Sequence, residues 1–244
     1  MPDLVLLHGF TQTGRTWQAI AHALGGRYRA VAPDLPGHGA FAERRPASFA
    51  ATDAYLRALG DGAPLTLCGY SMGGRVALHA ALVAGVPVRR LVLIGASPGL
   101  ADPAERAARA RDDAALADHI GTIGIDAFVR EWGAQPLFAG MPRGVAELVD
   151  EDRRRNTAPG LAAALRGLGT GVMPSLWDRL GTLDVPVALV VGERDAKFRA
   201  IAERMEAALP SATLHVVAGA GHAAHLEAPD ALVDLLAAAP KHAD

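Results

Sequence analysis

Apolar residues gather in six short, nearly unbroken runs at 4–7, 30–34, 65–69, 90–95, 187–192 and 212–217, each closed by glycine, proline or polar loop residues. Near-continuous apolar character over so few residues marks a strand covered on both faces, as in a parallel sheet with crossover helices. Between most of the runs the spacing turns helical, as in VALHAALVAG at 76–85. The alternation predicts an α/β fold built on six parallel strands. The interval 98–182 breaks the rhythm. There PAERAARARDDAALADHI, GIDAFVREW, GVAELVDEDRRR and GLAAALRGL read as helices, punctuated by Pro98-Gly99, Gly121, Pro142 and Pro159-Gly160. The pattern predicts a core from 1–97 and 183–244, with 98–182 inserted as a helical lid that excludes water and supplies binding groups.

The third run ends in LTLCGYSMGGR at 65–75. A serine on a sharp strand-to-helix turn, with glycine two positions to either side, is the nucleophile elbow of the α/β-hydrolases. Ser71 is thus the candidate nucleophile or base. Partners follow in the order Ser, acid, His that this fold uses: Asp195 directly after the run at 187–192, and His222 in the loop after the run at 212–217. A serine hydroxyl needs an imidazole within hydrogen-bond reach, and the imidazole needs a carboxylate to fix its tautomer. The first run enters His8-Gly9-Phe10, which fits the loop donating one backbone N–H to an oxyanion hole; Met72, after the serine, donates the other. Taken singly, Ser71 is an ordinary turn residue, Asp195 a loop acid and His222 one of nine histidines. Four such elements in order, each at a strand end where open α/β sheets place their sites, outweigh that reading. The oxyanion loop begins so early that the sheet is expected to be trimmed, without the two strands that usually precede it.

Composition narrows the class further. The chain has 244 residues, half of them hydrophobic, enough for one substantial core. The single cysteine, Cys68, cannot form an intrachain disulfide and falls within a strand, which favours a reducing, cytoplasmic setting and a core role. No export signal or membrane span is expected, since no run reaches about 18 apolar residues. The formal charge is −2, with 22 of the 24 basic residues arginine; the short pairs and the triplet at 153–155 make no basic stripe for a nucleic acid. Metal-ligand spacing is absent, so no metal or cofactor is expected. Asp34, His38 and His225 read as structural loop residues, and no pattern reports an oligomeric state.

A narrower resemblance covers nearly the whole chain. GYSMGGRVAL, ASPGLADPAERAARARDD, GERDAKFRA and GAGHAAHLEAP resemble the α/β-hydrolase-fold family of 2-succinyl-6-hydroxy-2,4-cyclohexadiene-1-carboxylate synthases of menaquinone biosynthesis. That resemblance implies a lyase eliminating pyruvate, with Ser71, Asp195 and His222 as triad and Phe10 and Met72 as oxyanion donors. It further implies Arg75, Arg109 and Arg153, or Arg154 or Arg155 in its place, as substrate-binding arginines, and Tyr70, Trp132 and Phe138 as pocket aromatics. Guanidinium groups bind carboxylates through paired, charge-assisted hydrogen bonds, so a small anionic substrate fits. Arg109 also has Asp112 and Asp113 at helical spacing and would serve equally as half of a surface ion pair. Two other readings use the same core motifs: a carboxylesterase, lactonase or carbon–carbon bond hydrolase, and a non-catalytic ligand receptor.

Overall fold

In the computed structural model, which describes residues 3–238, the six runs form one parallel sheet in the order β2-β1-β3-β4-β5-β6. The strands are β1 (Leu4–Leu7), β2 (Ala30–Val31), β3 (Leu65–Tyr70), β4 (Val88–Ile94), β5 (Val187–Gly192) and β6 (Ala212–Val217). The outermost residues assigned to the core, 1–2 and 239–244, lie outside the described ones. β2 is shorter than the run at 30–34 predicts. Only Ala30 and Val31 pair with β1, and Pro33, which has no N–H to give, follows at this sheet edge.

Helices cover both faces, so alternate strand residues enter two different cores. Val5, Leu7, Leu67, Leu93, Leu189 and Val191 pack with α2 (Phe49–Gly60), α3 (Met72–Leu82) and α7 (Ala196–Ala208). Leu4, Leu6, Cys68, Val92, Ile94 and Val190 face Trp17, α1 (Gln18–Ala23) and, beyond the short α8 (Ala224–Glu227), α9 (Pro229–Ala237). Cys68 lies in this second core as a free thiol whose pKa burial pushes up to about 12.

Between β4 and β5 the chain forms α4 (Pro103–Gly133), α5 (Arg143–Arg153) and α6 (Ala158–Leu168) with short 3₁₀ turns. α4 starts from an Asp102 cap whose carboxylate accepts from Ala104 N–H at 2.6 Å, with Pro103 at the first position. The break expected near Gly121 falls at Gly124, where φ is 76°. Gly121 stays helical, since one glycine costs a helix only about 1 kcal/mol, whereas the positive φ at 124 is open to glycine and little else. A third apolar cluster joins the insertion to the sheet edge: Ile120 and Phe128 of α4 and Leu161 and Leu165 of α6, with Phe10 and Trp132 packed on it. No helix among the described residues is long and apolar enough to cross a membrane.

Candidate active site

The chain reverses direction of sheet growth between β1 and β3, whose register pairs Leu7 with Gly69. This puts the loop after β1 beside the turn after β3, at the carboxyl edge where such sheets open a crevice. Ser71 occupies that turn with φ 50° and ψ −108°, a strained conformation for a non-glycine residue. Its N–H donates to Ile94 O at 2.8 Å, and its hydroxyl does not cap α3. The flanking glycines are required by crowding. A Cβ on Gly69 would collide with the backbone of Gly73, and one on Gly73 with the carbonyl of Leu7.

Asp195 follows β5 and caps α7, its Oδ1 accepting from Phe198 N–H at 3.3 Å. Its Oδ2 lies 2.6 Å from His222 Nδ1, in the loop after β6, and both side chains are buried. The imidazole is packed among rings, with centroids of Phe198 at 4.5 Å and Tyr70 at 5.2 Å. Gly95 clears space beside it, since a Cβ there would lie 2.9 Å from His222 Cε1. Sequence reasoning did not single out Gly95; its place as the last residue of the run at 90–95 is the available signal.

Ser71, Asp195 and His222 line one cavity of about 770 Å³, with Phe10, Met72, Arg75, Arg109 and Trp132 also on its wall. Met72 is the first residue of α3, so its N–H has no acceptor within the helix. Arg75 is nearly buried, and its Nη1 donates to Leu168 O at the end of α6 at 2.8 Å. Burial, then the charge of Arg109, lowers its pKa to about 10, which leaves it charged at neutral pH. Arg109 combines the two expectations held for it. It reaches the cavity, and its Nε also donates at 2.7 Å to Asp113, a buried carboxylate that accepts from Gly171 N–H as well. The indole Nε1–H of Trp132 is buried without a partner.

Three of the expected binding residues stand behind the wall rather than on it. Arg153 is almost fully buried; its Nη1 donates to Asp150 at 2.8 Å, its Nε to Thr11 Oγ1 at 3.3 Å, and its guanidinium lies 4.7 Å over the Phe138 ring. Burial is the main cause of its lowered pKa. Phe138 and Tyr70 pack against His222 from two directions, and burial pushes the Tyr70 hydroxyl well up from its ordinary range. Arg154 and Arg155 face Asp126 and Asp152 at 3.6 and 3.9 Å. The structure instead brings Arg194, Lys197 and Arg204 to the cavity. Arg194 is fully engaged, donating to Gly140 O, Gly219 O and Glu227. Glu227 in turn accepts from Gly221 N–H at 2.9 Å and so anchors the loop carrying His222. Lys197 and Arg204 lie near the Phe198 and Trp177 rings, at 5.7 and 4.3 Å. Five basic side chains thus face Glu105 and Asp195 across the cavity, a field that favours an anionic occupant.

Comparison with known proteins follows the same lines. The model of the Alpha/beta hydrolase family matches residues 4–235. A 2-succinyl-6-hydroxy-2,4-cyclohexadiene-1-carboxylate synthase of Salmonella enteritidis PT4 is 37% identical over 240 residues, covering 97% of this chain and 92% of the relative. Among solved structures, MenH from S. aureus superposes with a TM-score of 0.91 at 34% identity, over 96% of this chain and 91% of its own. A thermophilic esterase from Thermogutta terrifontis follows at 0.80 and 26%, over 96% and 87%.

Proposed function

Because the chain belongs to the alpha/beta hydrolase family and, within it, to the 2-succinyl-6-hydroxy-2,4-cyclohexadiene-1-carboxylate synthases, we propose that it is a lyase forming that product for menaquinone biosynthesis by eliminating pyruvate. The observation that carries the reading is the joining of two features in one cavity: a buried His222–Asp195 pair that shares the cavity with Ser71, and an excess of basic groups suited to a substrate with several carboxylates.

Asp195 holds the imidazole with its proton on Nδ1, so Nε2 accepts the Ser71 proton. Ser71 then removes a proton from the substrate ring next to the succinyl carbonyl. The electron pair passes toward the carbonyl oxygen, whose developing charge rests on the Phe10 and Met72 N–H groups. Its return builds the ring diene as the carbon–oxygen bond to the three-carbon substituent breaks; the departing enolate takes up the proton held on His222 Nε2 and leaves as pyruvate, which restores the neutral imidazole. No acyl-enzyme forms. Arg75 and Arg109 hold carboxylates, and Trp132 forms part of the cavity wall around them. Arg153, Tyr70 and Phe138 act from behind, fixing the walls and the His222 ring. The insertion over 98–182 serves as the lid on the core of 1–97 and 183–244. The lone cysteine, unable to pair within the chain, supports a cytoplasmic setting.

Pyruvate release from the enolpyruvyl cyclohexene intermediate, measured with purified enzyme, tests the reading. Turnover of p-nitrophenyl acetate without any pyruvate release assigns the site to ester hydrolysis, the activity of the Thermogutta relative.

A further inference from the structure

The loop that carries Phe10 is not self-supporting. Gly9 to Gln12 form a tight turn, Gln12 N–H donating to Gly9 O at 3.2 Å, and Thr11 sits within it at φ 71°. That conformation suits glycine or asparagine and is rare for a β-branched residue, so it persists only where the surroundings fix it. The surroundings here belong largely to the insertion. Asn156, just past the end of α5, donates from Nδ2 to Thr11 O at 2.6 Å and to Arg153 O at 3.0 Å, while its Oδ1 accepts from Gly39 N–H. Asp152, in the last turn of α5, takes both polar groups of Thr13, the N–H at 2.8 Å and the hydroxyl at 2.6 Å. Arg155 Nε approaches the same carboxylate at 3.9 Å. On the core side His38 Nε2 accepts from Thr11 N–H at 3.4 Å. Thr11, Thr13, Asp152 and Asn156 are all buried.

We propose that Asp152 and Asn156 are positioning residues for the oxyanion loop, bonding the end of α5 to the chain within the turn at Thr11 and directly after it at Thr13, and thereby fixing the Phe10 N–H. The inference rests on the proposed role of Phe10 and Met72 as oxyanion donors. The strain at Thr11 is relieved if its flanking peptides rotate, and when the Phe10–Thr11 peptide turns, the adjoining Gly9–Phe10 peptide, which carries the Phe10 N–H, is drawn away from the oxyanion. Asn156 opposes that rotation directly by holding the Thr11 carbonyl, and Asp152 opposes it by pinning the chain two residues on at Thr13. Geometry at the reacting centre thus depends on a segment about 140 residues away in sequence, and the insertion is part of the catalytic frame as well as a cover.

The test compares Asp152→Ala, Asn156→Ala and Thr13→Val with wild type, each assayed well below its own melting temperature, on the cyclohexene intermediate and on p-nitrophenyl acetate. Losing one oxyanion donor outright costs roughly 10²–10³-fold in kcat. A loosened donor is expected to cost about 10–100-fold on both substrates, with KM within about threefold. Asp152→Asn should restore kcat to within about threefold, because its Oδ1 still accepts from Thr13 N–H and its Nδ2 donates to the Thr13 hydroxyl. A purely structural role lowers the melting temperature and leaves the kcat of folded enzyme unchanged, and that result overturns the proposal. So does an Asp152→Asn variant as slow as Asp152→Ala. If Asp152→Ala does not fold, Asn156→Ala and Thr13→Val decide. Wild type active on the ester alone refutes the assigned substrate and leaves this inference to stand or fall on the ester rates. Wild type inert toward both substrates removes the oxyanion and the inference with it.

Discussion

His222 Nδ1 and Asp195 Oδ2 lie 2.6 Å apart on loops leaving the neighbouring strands β5 and β6, and both side chains are buried. A carboxylate can only accept at that distance, so Nδ1 carries the proton and Nε2 is left basic. Asp195→Asn keeps the shape but can present an N–H to Nδ1, which favours the opposite tautomer. The kcat for pyruvate release is expected to fall roughly 10³–10⁴-fold with the melting temperature little changed. A variant holding more than a tenth of wild-type activity contradicts the assignment of Asp195.

Gly95 offers a second test, because two effects there can be separated. Alanine at this position adds a left-handed backbone penalty of about 1–2 kcal/mol and sets a Cβ 2.9 Å from His222 Cε1 and 3.0 Å from Nδ1. Gly85, at φ +62° with nothing near its absent Cβ, carries the backbone effect alone. Gly95→Ala and Gly85→Ala should therefore melt lower by similar amounts, about 2–4 °C per kcal/mol for a chain of this size. Only Gly95→Ala should lose kcat, by about 10²-fold, as a displaced general base implies. Equal kcat in the two variants means that His222 tolerates the displacement.

The contrast between Ser71 and Gly95 shows what was legible in the sequence. Six strands, the elbow and the helical character of 98–182 are written in local spacing, because period and turn chemistry act over a few residues. Gly95 matters through a contact with a residue 127 positions later, and no periodicity records that. The same holds for the bonds from Asp152 to Thr13 and from Arg194 to Gly140, made across long separations. The resemblance makes Arg153, or Arg154 or Arg155 in its place, a substrate-binding arginine. Three-dimensional packing turns Arg153 instead toward Thr11, Asp150 and the Phe138 ring. Lys197 belongs to the GERDAKFRA stretch at 192–200, yet its facing the cavity depends on how α7 starts from the Asp195 cap.

Three buried histidines tie stability to pH. Burial lowers the pKa of His8, holds His38 well below its ordinary range with help from the charge of His8, and brings His225 to about 3 with help from His222. Unfolded, each titrates near 6.5. Above that pH both states hold these rings neutral and stability is level. Below it the unfolded chain binds protons that the folded one refuses, so stability falls as pH drops toward the folded values. Urea midpoints should stay flat from pH 7 to 8 and decline below about 6.5. His225→Phe keeps a ring stacked against Trp17 and Tyr70 and removes one of these protons. Its decline between pH 6 and 4 should be shallower by up to about 1.4 kcal/mol per pH unit. Identical slopes in the two proteins mean that His225 is not a source of the dependence.

Substrate charge is tested most cleanly at Lys197. Arg75 is bonded to Leu168 O and Arg109 to buried Asp113, so replacing either also unsettles the walls of the cavity. Even so, Arg75→Ala and Arg109→Ala should each lose about 1.5–3 kcal/mol in kcat/KM for the cyclohexene intermediate, the scale of a charged hydrogen bond. Lys197 faces the same cavity from α7 with the Phe198 ring as its neighbour at 5.7 Å and no carboxylate partner among the described residues. Its loss therefore leaves no buried partner stranded. Lys197→Gln keeps the stem and removes the charge, and should raise KM for the intermediate about tenfold. Added salt should weaken wild-type binding more than that of the variant, since screening acts on the charge that the variant lacks. Hydrolysis of p-nitrophenyl acetate, which offers no carboxylate, should change less than about threefold in Lys197→Gln, and in the two arginine variants it should fall by much less than turnover of the intermediate. Losses of equal size on ester and intermediate mean that these cations hold the fold rather than the substrate, and the case for a polyanionic substrate then falls back on family membership alone.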